Sequence, residues 1–577
     1  MRDVLDRRRV LVGVAVATLL GLLARLYALG FRMMHWDEGR VGYRTLQYAA
    51  TGEWSYNPFV HGPFLFHVDA FLFQAAGAND FIARLPVALV GALLPAGAWL
   101  YRERLRDVEV VALAAILATN AAVLYYSRFM RNEVLVAAFA FLAVGFAIRV
   151  LDTGRRRYLY AAVAMLGLAF TTKENAVMYV GIWVGALALL VDHRLFTARR
   201  RGEGLRTAVE RLGGVALTRL RTWAIPLVLA GVEFLVIVSV FYAPRPEFYR
   251  MFSAPAMVPG VLEEATLGSW NAFMNTWGSG SHQQHPYLPF LEDYLRTMWA
   301  AALVPLVAGI VGFLADRYTG EGLTDVVAFA SYWAGASLLL YPLATDISAP
   351  WSTVHTVVPL AIPAAVGIRL LVDRFRKAIA VDDRVGTGLA AVLALALILQ
   401  AGVATVSLVY LQPQDNTALT QFGQPSDNMK PALATIDDVA AQHTGGPDVL
   451  FFGLKFAPPG AGGPLYFDRL PLPWYMRSMG IETTGEADLE ALEGEKPPVV
   501  IVPGDASYIS GYTETDAKPY LDGYTRLGAY AVTLKIPGNV VYAVVYVDND
   551  ALADARAADH TRVGVGTPAR VPVEHRN

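Results

Sequence analysis

Residues 33–63 read MMHWDEGRVGYRTLQYAATGEWSYNPFVHGP, and this stretch decides how the rest of the chain is interpreted. It follows the first long apolar run and places Asp37 and Glu38 next to each other at the edge of a predicted membrane span. Ionisable groups are costly inside a bilayer, so those that border a span are candidates for function. Aromatic residues and His61 then lead toward the next apolar segment, which predicts a structured polar loop with aromatic anchors.

The composition indicates a polytopic helical membrane protein. The chain has 577 residues, of which 55% are hydrophobic and 17% charged, and its mean hydropathy is +0.39. A soluble domain of this length would have too little interior to bury so much apolar surface. The absence of cysteine excludes a disulfide framework, a thiolate zinc site and a cysteine nucleophile. The net charge of −2 indicates little about partners.

Eleven apolar segments are predicted to cross the membrane. Their bounds are about 10–30, 81–101, 108–126, 134–151, 158–172, 176–191, 223–242, 294–314, 326–344, 352–371 and 388–410. The arginine-rich N-terminus is expected in the cytoplasm, and every later arginine cluster then falls inside, while the acidic, histidine and aromatic motifs fall outside. A surface helix is expected over 38–51, and the short apolar segment 64–75 is expected to be re-entrant or interfacial.

The predicted domains follow from these spans. Residues 1–411 are expected to form a transmembrane domain whose outer loops carry the site, and these loops are 31–63, 127–133, 172–175, 243–293 and 345–351. Residues 412–550 are expected to form a small extracytoplasmic α/β domain, with strands near 449–454, 498–502 and 540–547 and helices near 428–443 and 487–493. Residues 551–577 are expected to be a disordered tail.

Asp37 and Glu38 are the predicted catalytic residues. A carboxylate within reach of an acceptor hydroxyl or amine can take its proton, and a neighbouring acid can orient it or hold a metal. The alternative is structural: Asp37 caps a helix and Glu38 lies in its first turn, where negative charge is favourable.

Four cationic or polar residues are predicted to bind a donor phosphate, namely Arg128, Arg131, Lys173 and His61. The arginines are three residues apart and are expected to share a helix face, and guanidinium forks suit phosphate oxygens. Anchoring at the interface is the alternative for the arginines, and a structural ion pair or turn is the alternative for Lys173 and His61.

A further group is expected to support the site or to contact sugar or acceptor: Arg40, Glu133, Glu174, Trp277, His285, Tyr287 and Trp351. His282 and His285 resemble a metal-ligand pair, but the spacing supplies no third ligand. No metal is therefore assigned, and a divalent metal stays an alternative.

A carboxylate, several cations and aromatic rings on one face suit a sugar linked to a lipid phosphate, because arginine and lysine stabilise the departing phosphate. No nucleotide-binding fingerprint occurs, so a lipid-linked donor fits better than a nucleotide sugar.

The order of motifs resembles that of the GT-C membrane glycosyltransferases, over roughly 10–371. The motifs are Asp37-Glu38, His61-Gly62-Pro63-Phe64, Ala83-Arg84-Leu85-Pro86, Thr172-Lys173 and His285-Pro286-Tyr287. They are similar to those of the family 39-like group, which includes protein O-mannosyltransferases and the lipid A aminoarabinose transferase. The wording SRFMRNE, TTKEN and APW looks more like an archaeal branch of flippase-activity-associated proteins. Gly62 departs from the family, which has proline there.

The resemblance implies a polyprenyl (dolichyl)-phosphate-sugar donor, a lipid-linked glycan or protein as acceptor, and Asp37 as the base. The expected partners are therefore these substrates and membrane lipids, with no nucleic acid. Two alternatives stay open: a flippase or transport component for lipid-linked sugars, and a non-catalytic scaffold of a glycosylation complex. The clean spans favour a one-sided site over a path through the bilayer.

Overall fold

The computed structural model describes residues 7–200, 204–278, 285–318, 324–411, 417–420, 423–454, 456–457, 466–507, 511–533 and 540–562. The helices up to the long loop are α1 Arg7–Leu26, α2 Trp36–Thr51, α3 Phe64–Ala76, α4 Asp80–Gly97, α5 Asp107–Thr119, α6 Ala121–Tyr126, α7 Glu133–Thr153, α8 Arg156–Thr172, α9 Ala176–Arg200, α10 Leu205–Thr222 and α11 Ala224–Tyr242. The later helices are α12 Glu247–Arg250, α13 Val258–Glu263, α14 Ser269–Trp277, α15 Tyr287–Tyr318, α16 Asp325–Ala344, α17 Val354–Ala380, α18 Arg384–Val406, α19 Lys430–Ala440, α20 Leu472–Met479, α21 Glu514–Ala517 and α22 Asn549–Arg562.

The predicted spans are helical, but their count changes. In the ranges given above, nine helices are long and apolar enough to cross a membrane, not eleven. The third predicted span is interrupted because Asn120 has φ −59° and ψ 129°, which ends α5, and its side chain then caps α6. The fifth corresponds to α8, which has only 17 residues. The short apolar helix expected at 64–75 is α3.

The chain divides into two compact units, and one break between them, after Pro413, lies close to the predicted boundary at 411. The membrane unit contains Met1–Tyr27, Trp54–Leu65 and Val87–Pro413. The second unit, called here the loop–sheet unit, contains Ala28–Glu53, Phe66–Pro86 and Gln414–Asn577. Residues 31–53, which were expected to belong to the transmembrane domain, are therefore part of the same compact unit as the C-terminal sheet.

The centre of the membrane unit is formed by α7 and α17. In the most apolar 18-residue stretch of each helix, 72% of the residues of α7 and 78% of those of the segment containing α17 are buried. In α18 none of these residues is buried. Helix α17 packs against α15, α16, α5 and α7, and α8 packs against α7 and α11. The exposed apolar faces of α11 and α18 are those expected to contact lipid.

The loop–sheet unit contains a five-stranded mixed sheet. Its strands are β1 Val449–Phe452, β2 Thr483–Glu486, β3 Val499–Pro503, β4 Tyr524–Thr533 and β5 Val541–Asp548, in the spatial order β2-β1-β3-β5-β4. Strand β1 runs parallel to β2 and β3, and β5 runs antiparallel to β3 and β4. The three predicted strands are β1, β3 and β5, whose β-branched and aromatic side chains are buried in the core.

The expectation of a disordered tail from 551 is wrong for its first part. Residues up to Arg562 continue helix α22, which packs against α19, with Leu552 and Ala555 buried. The rest of the tail lies outside the described residues.

Candidate functional site

Helix α2 begins with the acidic pair in its first turn. His35 is the N-cap: its Nδ1 accepts from the backbone N–H of Asp37 at 3.0 Å, and the Glu38 carboxylate accepts from the His35 N–H at 2.8 Å. This is a capping box, with histidine in the place usually held by serine or threonine. The alternative that Asp37 itself caps the helix is therefore wrong. The helix expected at 38–51 is confirmed.

Glu38 is held by a fully buried arginine. Arg84 uses all five of its N–H donors: two go to the two oxygens of Glu38 at 2.8 and 2.9 Å, and three go to the carbonyls of Leu29, Arg32 and Met33 at 2.9–3.1 Å. The Arg32 guanidinium adds a bond to Glu38 at 3.2 Å. Arg84, the arginine of the Ala-Arg-Leu-Pro motif, thus joins the Glu38 carboxylate to the backbone of residues 29–33.

The environment of Glu38 keeps it ionised. Burial would raise the pKa of its carboxyl, but the charges and hydrogen bonds of Arg84 and Arg32 outweigh this and lower the pKa to about 2. Its side chain has no exposed surface. A carboxylate that is so weakly basic and enclosed suits a positioning role rather than proton transfer.

Asp37 has a different environment from its neighbour. Its side chain is 22% exposed, and Arg40 donates to it at 3.2 Å. The Arg40 guanidinium also lies 5.0 Å from the centre of the Trp36 ring, so Arg40 is held on two sides. Of the two predicted acids, Asp37 is the one whose carboxylate can meet a substrate.

The C-terminal part of the chain contacts α2 within the loop–sheet unit. A Cβ on Gly39 would lie 2.7 Å from Pro471, and one on Gly42 would lie 2.6 Å from Trp474, so both glycines allow α20 to approach closely. The buried Asp80 carboxylate accepts from Trp474, Tyr475 and Lys430 at 3.0, 2.9 and 2.8 Å. These contacts fix the position of α2.

A second cluster lies in the membrane unit. Glu133 is 1% exposed and accepts from Arg131 at 3.1 Å and from Lys173 at 2.7 Å. Trp351 covers Arg131, whose guanidinium lies 4.1 Å from the ring centre. The structure therefore brings together four of the predicted residues. The cluster has an excess of one positive charge, because two cations share one carboxylate.

Arg128 has different partners from the residues of this cluster. It donates to the carbonyls of Ala24, Arg25 and Tyr27 and lies 4.9 Å from the ring centre of Tyr410. The expectation that it shares a helix face with Arg131 is wrong, because α6 ends at Tyr126 and α7 begins at Glu133, so both arginines lie between the two helices.

His61 and Glu174 form a third group. The Glu174 carboxylate is bonded to the Tyr56 hydroxyl at 2.8 Å and to Nδ1 of His61 at 3.2 Å. His61 has φ 67° and ψ −169°, a conformation that is strained for any residue with a side chain. A Cβ on Gly62 would lie 2.4 Å from the Thr171 carbonyl oxygen, which explains why proline is absent here.

The remaining predicted residues of the membrane unit have separate partners. Nε1 of Trp277 donates to the Pro58 carbonyl at 3.3 Å. Nε2 of His285 forms a hydrogen bond of 2.7 Å with the Thr345 carbonyl, and the Tyr287 hydroxyl donates to the Leu339 carbonyl. His282 lies outside the described residues. In the parts of the chain that are described, no group of three or more histidine, aspartate or glutamate residues is arranged to hold a metal.

Some residues of these groups were not predicted. Tyr179 and Tyr341 surround His355: a hydrogen bond of 2.6 Å joins the Tyr179 hydroxyl and Nδ1 of His355, and the Tyr341 ring stacks on the imidazole at 4.3 Å. They lie in apolar helices, where an aromatic residue carries no signal of function. Arg84 was noted only as part of a motif, and nothing in the sequence pairs it with Glu38.

Two family models match parts of the chain. Residues 60–202 match the model described as dolichyl-phosphate-mannose-protein mannosyltransferase. Residues 429–548 match the model described as the Agl23 flippase-associated protein C-terminal domain. Among curated proteins, none matches the chain.

Solved structures share the fold. The structure of ArnT from Cupriavidus metallidurans bound to undecaprenyl phosphate superposes with a TM-score of 0.55 at 16% identity, over 93% of this chain and 98% of that chain. The apo state of ArnT gives 0.53 at 16% identity, over 92% and 97%. The archaeal oligosaccharyltransferase AglB from Archaeoglobus fulgidus, in complex with an inhibitory peptide and a dolichol-phosphate, gives 0.50 at 12% identity, over 94% and 74%.

These findings confirm the resemblance drawn from the motifs. The chain is a multi-pass membrane protein with the fold of the GT-C glycosyltransferases and a small C-terminal sheet domain of the flippase-associated type.

Proposed function

We propose that this protein is a membrane glycosyltransferase that moves a sugar from a polyprenyl (dolichyl)-phosphate donor to a lipid-linked glycan or a protein. The observation that carries the proposal is the cluster of Arg131, Glu133 and Lys173. It has an excess of positive charge, as a phosphate site requires, and it falls within the segment that matches the mannosyltransferase model. The undecaprenyl phosphate and dolichol-phosphate in the names of the similar structures support the same class of donor.

In the proposed reaction Asp37 is the base. It takes the proton of the acceptor hydroxyl as that oxygen bonds to the anomeric carbon of the sugar, and the bond from that carbon to the phosphate oxygen breaks. Arg131 and Lys173 stabilise the charge on the departing phosphate. Glu38 holds Asp37 in place through the Arg84 bonds, and Arg40 orients its carboxylate.

His61, Arg128 and the aromatic residues have supporting roles in this proposal. His61 positions Glu174, and Arg128 secures the turn that precedes the phosphate cluster. We place the N-terminus in the cytoplasm and the acidic loop on the extracytoplasmic face. The arginine clusters at the opposite ends of the spans support that orientation.

The test is transfer by the full chain in liposomes, with radiolabelled polyprenyl-phosphate sugar and a membrane glycolipid extract. Asp37→Asn is expected to lower the rate by about 10²–10⁴-fold, the usual contribution of a general base. Asp554→Asn, at an exposed acid of α22, is the matched control and should leave the rate unchanged. Transfer by Asp37→Asn at the wild-type rate would remove Asp37 from the mechanism.

A second candidate is a flippase component, which the flippase-associated C-terminal domain favours. The same liposomes separate the two functions. Label that crosses the bilayer without a new product would support flipping, and label in a new glycolipid or peptide supports transfer. If the label neither crosses the bilayer nor enters a new product, the protein is a scaffold.

A further inference from the structure

Helix α10 connects two membrane-spanning helices at the end of the membrane unit opposite to the cluster of Arg131, Glu133 and Lys173. Helix α9 begins three residues after Lys173, and its 25 residues extend for about 37 Å away from that cluster. Helix α10 follows there and leads into α11, with only Trp223 between the two. Among the described residues, α9 and α11 are candidate spans and α10 is not. The structure therefore keeps α10 where its two neighbours leave the bilayer.

This connection carries a large excess of positive charge. Residues 193–223 contain eight arginines but only two glutamates. Arg206 is paired with Glu210 at 2.8 Å within α10, and one arginine at the end of α9, Arg194, is paired with an aspartate of α16. Within the described part of the chain, the exposed side chains of Arg199, Arg219 and Arg221 form no ion pair with a carboxylate.

Other carboxylates at this end of the membrane unit are already paired with other arginines. Asp152, near the end of α7, accepts from Arg104 at 2.7 Å and from Arg149 at 3.1 Å. Glu109, near the start of α5, accepts from Arg369 at 2.7 Å. These acids are therefore not free to balance the arginines of α10, and an anion from outside the chain would be attracted to them.

Helix α10 also exposes apolar side chains. Val209, Leu217 and Leu220 are 50%, 49% and 57% exposed. Val209 and Leu220 are eleven residues apart, which is about three turns, so they lie on the same face of the helix. Arg219 and Arg221 precede and follow Leu220, so they lie on the two flanks of that face. Arginines that flank an apolar stripe are typical of a helix in the headgroup layer of a membrane.

The combination of charge and apolar surface selects a lipid as the partner. A polyanion in solution would match the arginines, but it would leave Val209 and Leu220 in water. A phospholipid matches both, because its phosphate can meet a guanidinium while its chains cover the apolar face and the stem of the arginine. Since α9 and α11 hold both ends of α10 at the bilayer, the helix meets this partner without a separate binding event.

We propose that α10 lies in the headgroup layer of the leaflet opposite to the Arg131, Glu133 and Lys173 cluster, and that it binds anionic phospholipids there. Their phosphates meet Arg219 and Arg221, and their chains cover Val209 and Leu220. This site is separate from the proposed site of sugar transfer, and it does not depend on whether the protein transfers a sugar.

The test is hydrogen–deuterium exchange with mass spectrometry on the full chain in two kinds of nanodisc. One is made of phosphatidylcholine alone, and the other also contains phosphatidylglycerol. The amides of 205–222 should exchange more slowly in the anionic nanodiscs. An arginine near an anionic surface contributes about fivefold, the equivalent of about 1 kcal/mol. Arg219→Gln with Arg221→Gln should therefore speed exchange by about 25-fold in the anionic nanodiscs and leave it unchanged in phosphatidylcholine.

Two further variants separate charge at this helix from net charge. Arg219→Lys with Arg221→Lys keeps the charge and should retain the slow exchange. Arg250→Gln with Arg556→Gln is the matched control, because it removes two exposed arginines outside α10 and should not alter exchange at 205–222.

Three results would overturn the inference. The first is equal exchange of the wild-type helix in the two nanodiscs, which would leave its face for a partner in solution; this comparison needs no variant. The second is slow exchange of the Arg219→Gln and Arg221→Gln variant in the anionic nanodiscs. The third is an equal acceleration in the matched control, because the effect would then follow net charge and not α10.

Discussion

Replacing Arg84 with lysine is expected to loosen the loop that carries the acidic pair. A lysine ammonium keeps the charge but cannot reproduce a planar fork with five bonded N–H groups. It can satisfy one oxygen of Glu38 and one carbonyl, which leaves three acceptors without their donor. At about 1–1.5 kcal/mol for each of the three lost bonds, the local cost is about 3–4.5 kcal/mol.

That cost predicts a measurable change in local opening. Hydrogen exchange at the amides of residues 29–38 should speed up by about two to three orders of magnitude, since about 1.4 kcal/mol corresponds to a factor of ten. The measurement is hydrogen–deuterium exchange with mass spectrometry on the full chain in nanodiscs. Sugar transfer should fall as well, because Asp37 follows in the same loop.

The control is Arg149→Lys. Arg149 is also a buried arginine, 6% exposed, and it bonds to Asp152 at 3.1 Å within α7. That variant should leave exchange at 29–38 unchanged. If the loop amides of the Arg84→Lys variant also exchange at the wild-type rate, the Arg84 hydrogen bonds do not hold the acidic pair in place and the prediction is refuted.

Two further predictions concern single positions. Gly62→Ala places a Cβ 2.4 Å from the Thr171 carbonyl oxygen and should destabilise the fold by about 1–3 kcal/mol, seen as a lower unfolding midpoint. The control Gly181→Ala has open space around its Cβ and should not lower the midpoint. Equal midpoints of the two variants would refute the close approach at Gly62. Glu38 has a pKa of about 2 against an ordinary 4.5. Its contribution of about 3 kcal/mol is therefore complete above pH 4.5 and lost as pH falls toward 2, so Glu38→Gln should unfold with a weaker dependence on pH in that window, and an unchanged dependence would contradict the pKa.

The sequence predicted the helices of the membrane unit well, because hydropathy over about 20 residues is a strong local signal. It overcounted the spans where one polar residue, Asn120, interrupts an apolar run. The three strands with β-branched runs were predicted, whereas β2 and β4 were not, since Thr483–Glu486 is short and polar and β4 is interrupted by Arg526 and Gly528. The alanine-rich start of the tail was mistaken for disorder because its burial depends on packing against α19.

The candidate site was predicted as residue types but not as contacts. The acids, the cations and Trp351 were identified from charge at predicted span ends, and the structure pairs Arg131, Glu133 and Lys173. Their partners lie far away in sequence, and a single sequence carries no signal that links distant positions. The bond from Arg84 to Glu38 spans 46 residues.

The contacts between the acidic loop and the C-terminal domain also determine when the loop can fold during biosynthesis. The backbone N–H of Met34 donates to the Tyr475 hydroxyl across 441 positions, and Lys430 bonds to the Gly30 carbonyl across 400. A ribosome releases the loop early and its partners last, and the membrane helices are inserted in between. Until the sheet domain has folded, the loop is therefore held by Arg84 and its own capping box alone. A chain that stalls part-way would carry an inserted membrane unit whose acidic loop lacks these contacts, so the loop reaches its final structure only when the C-terminal domain is complete.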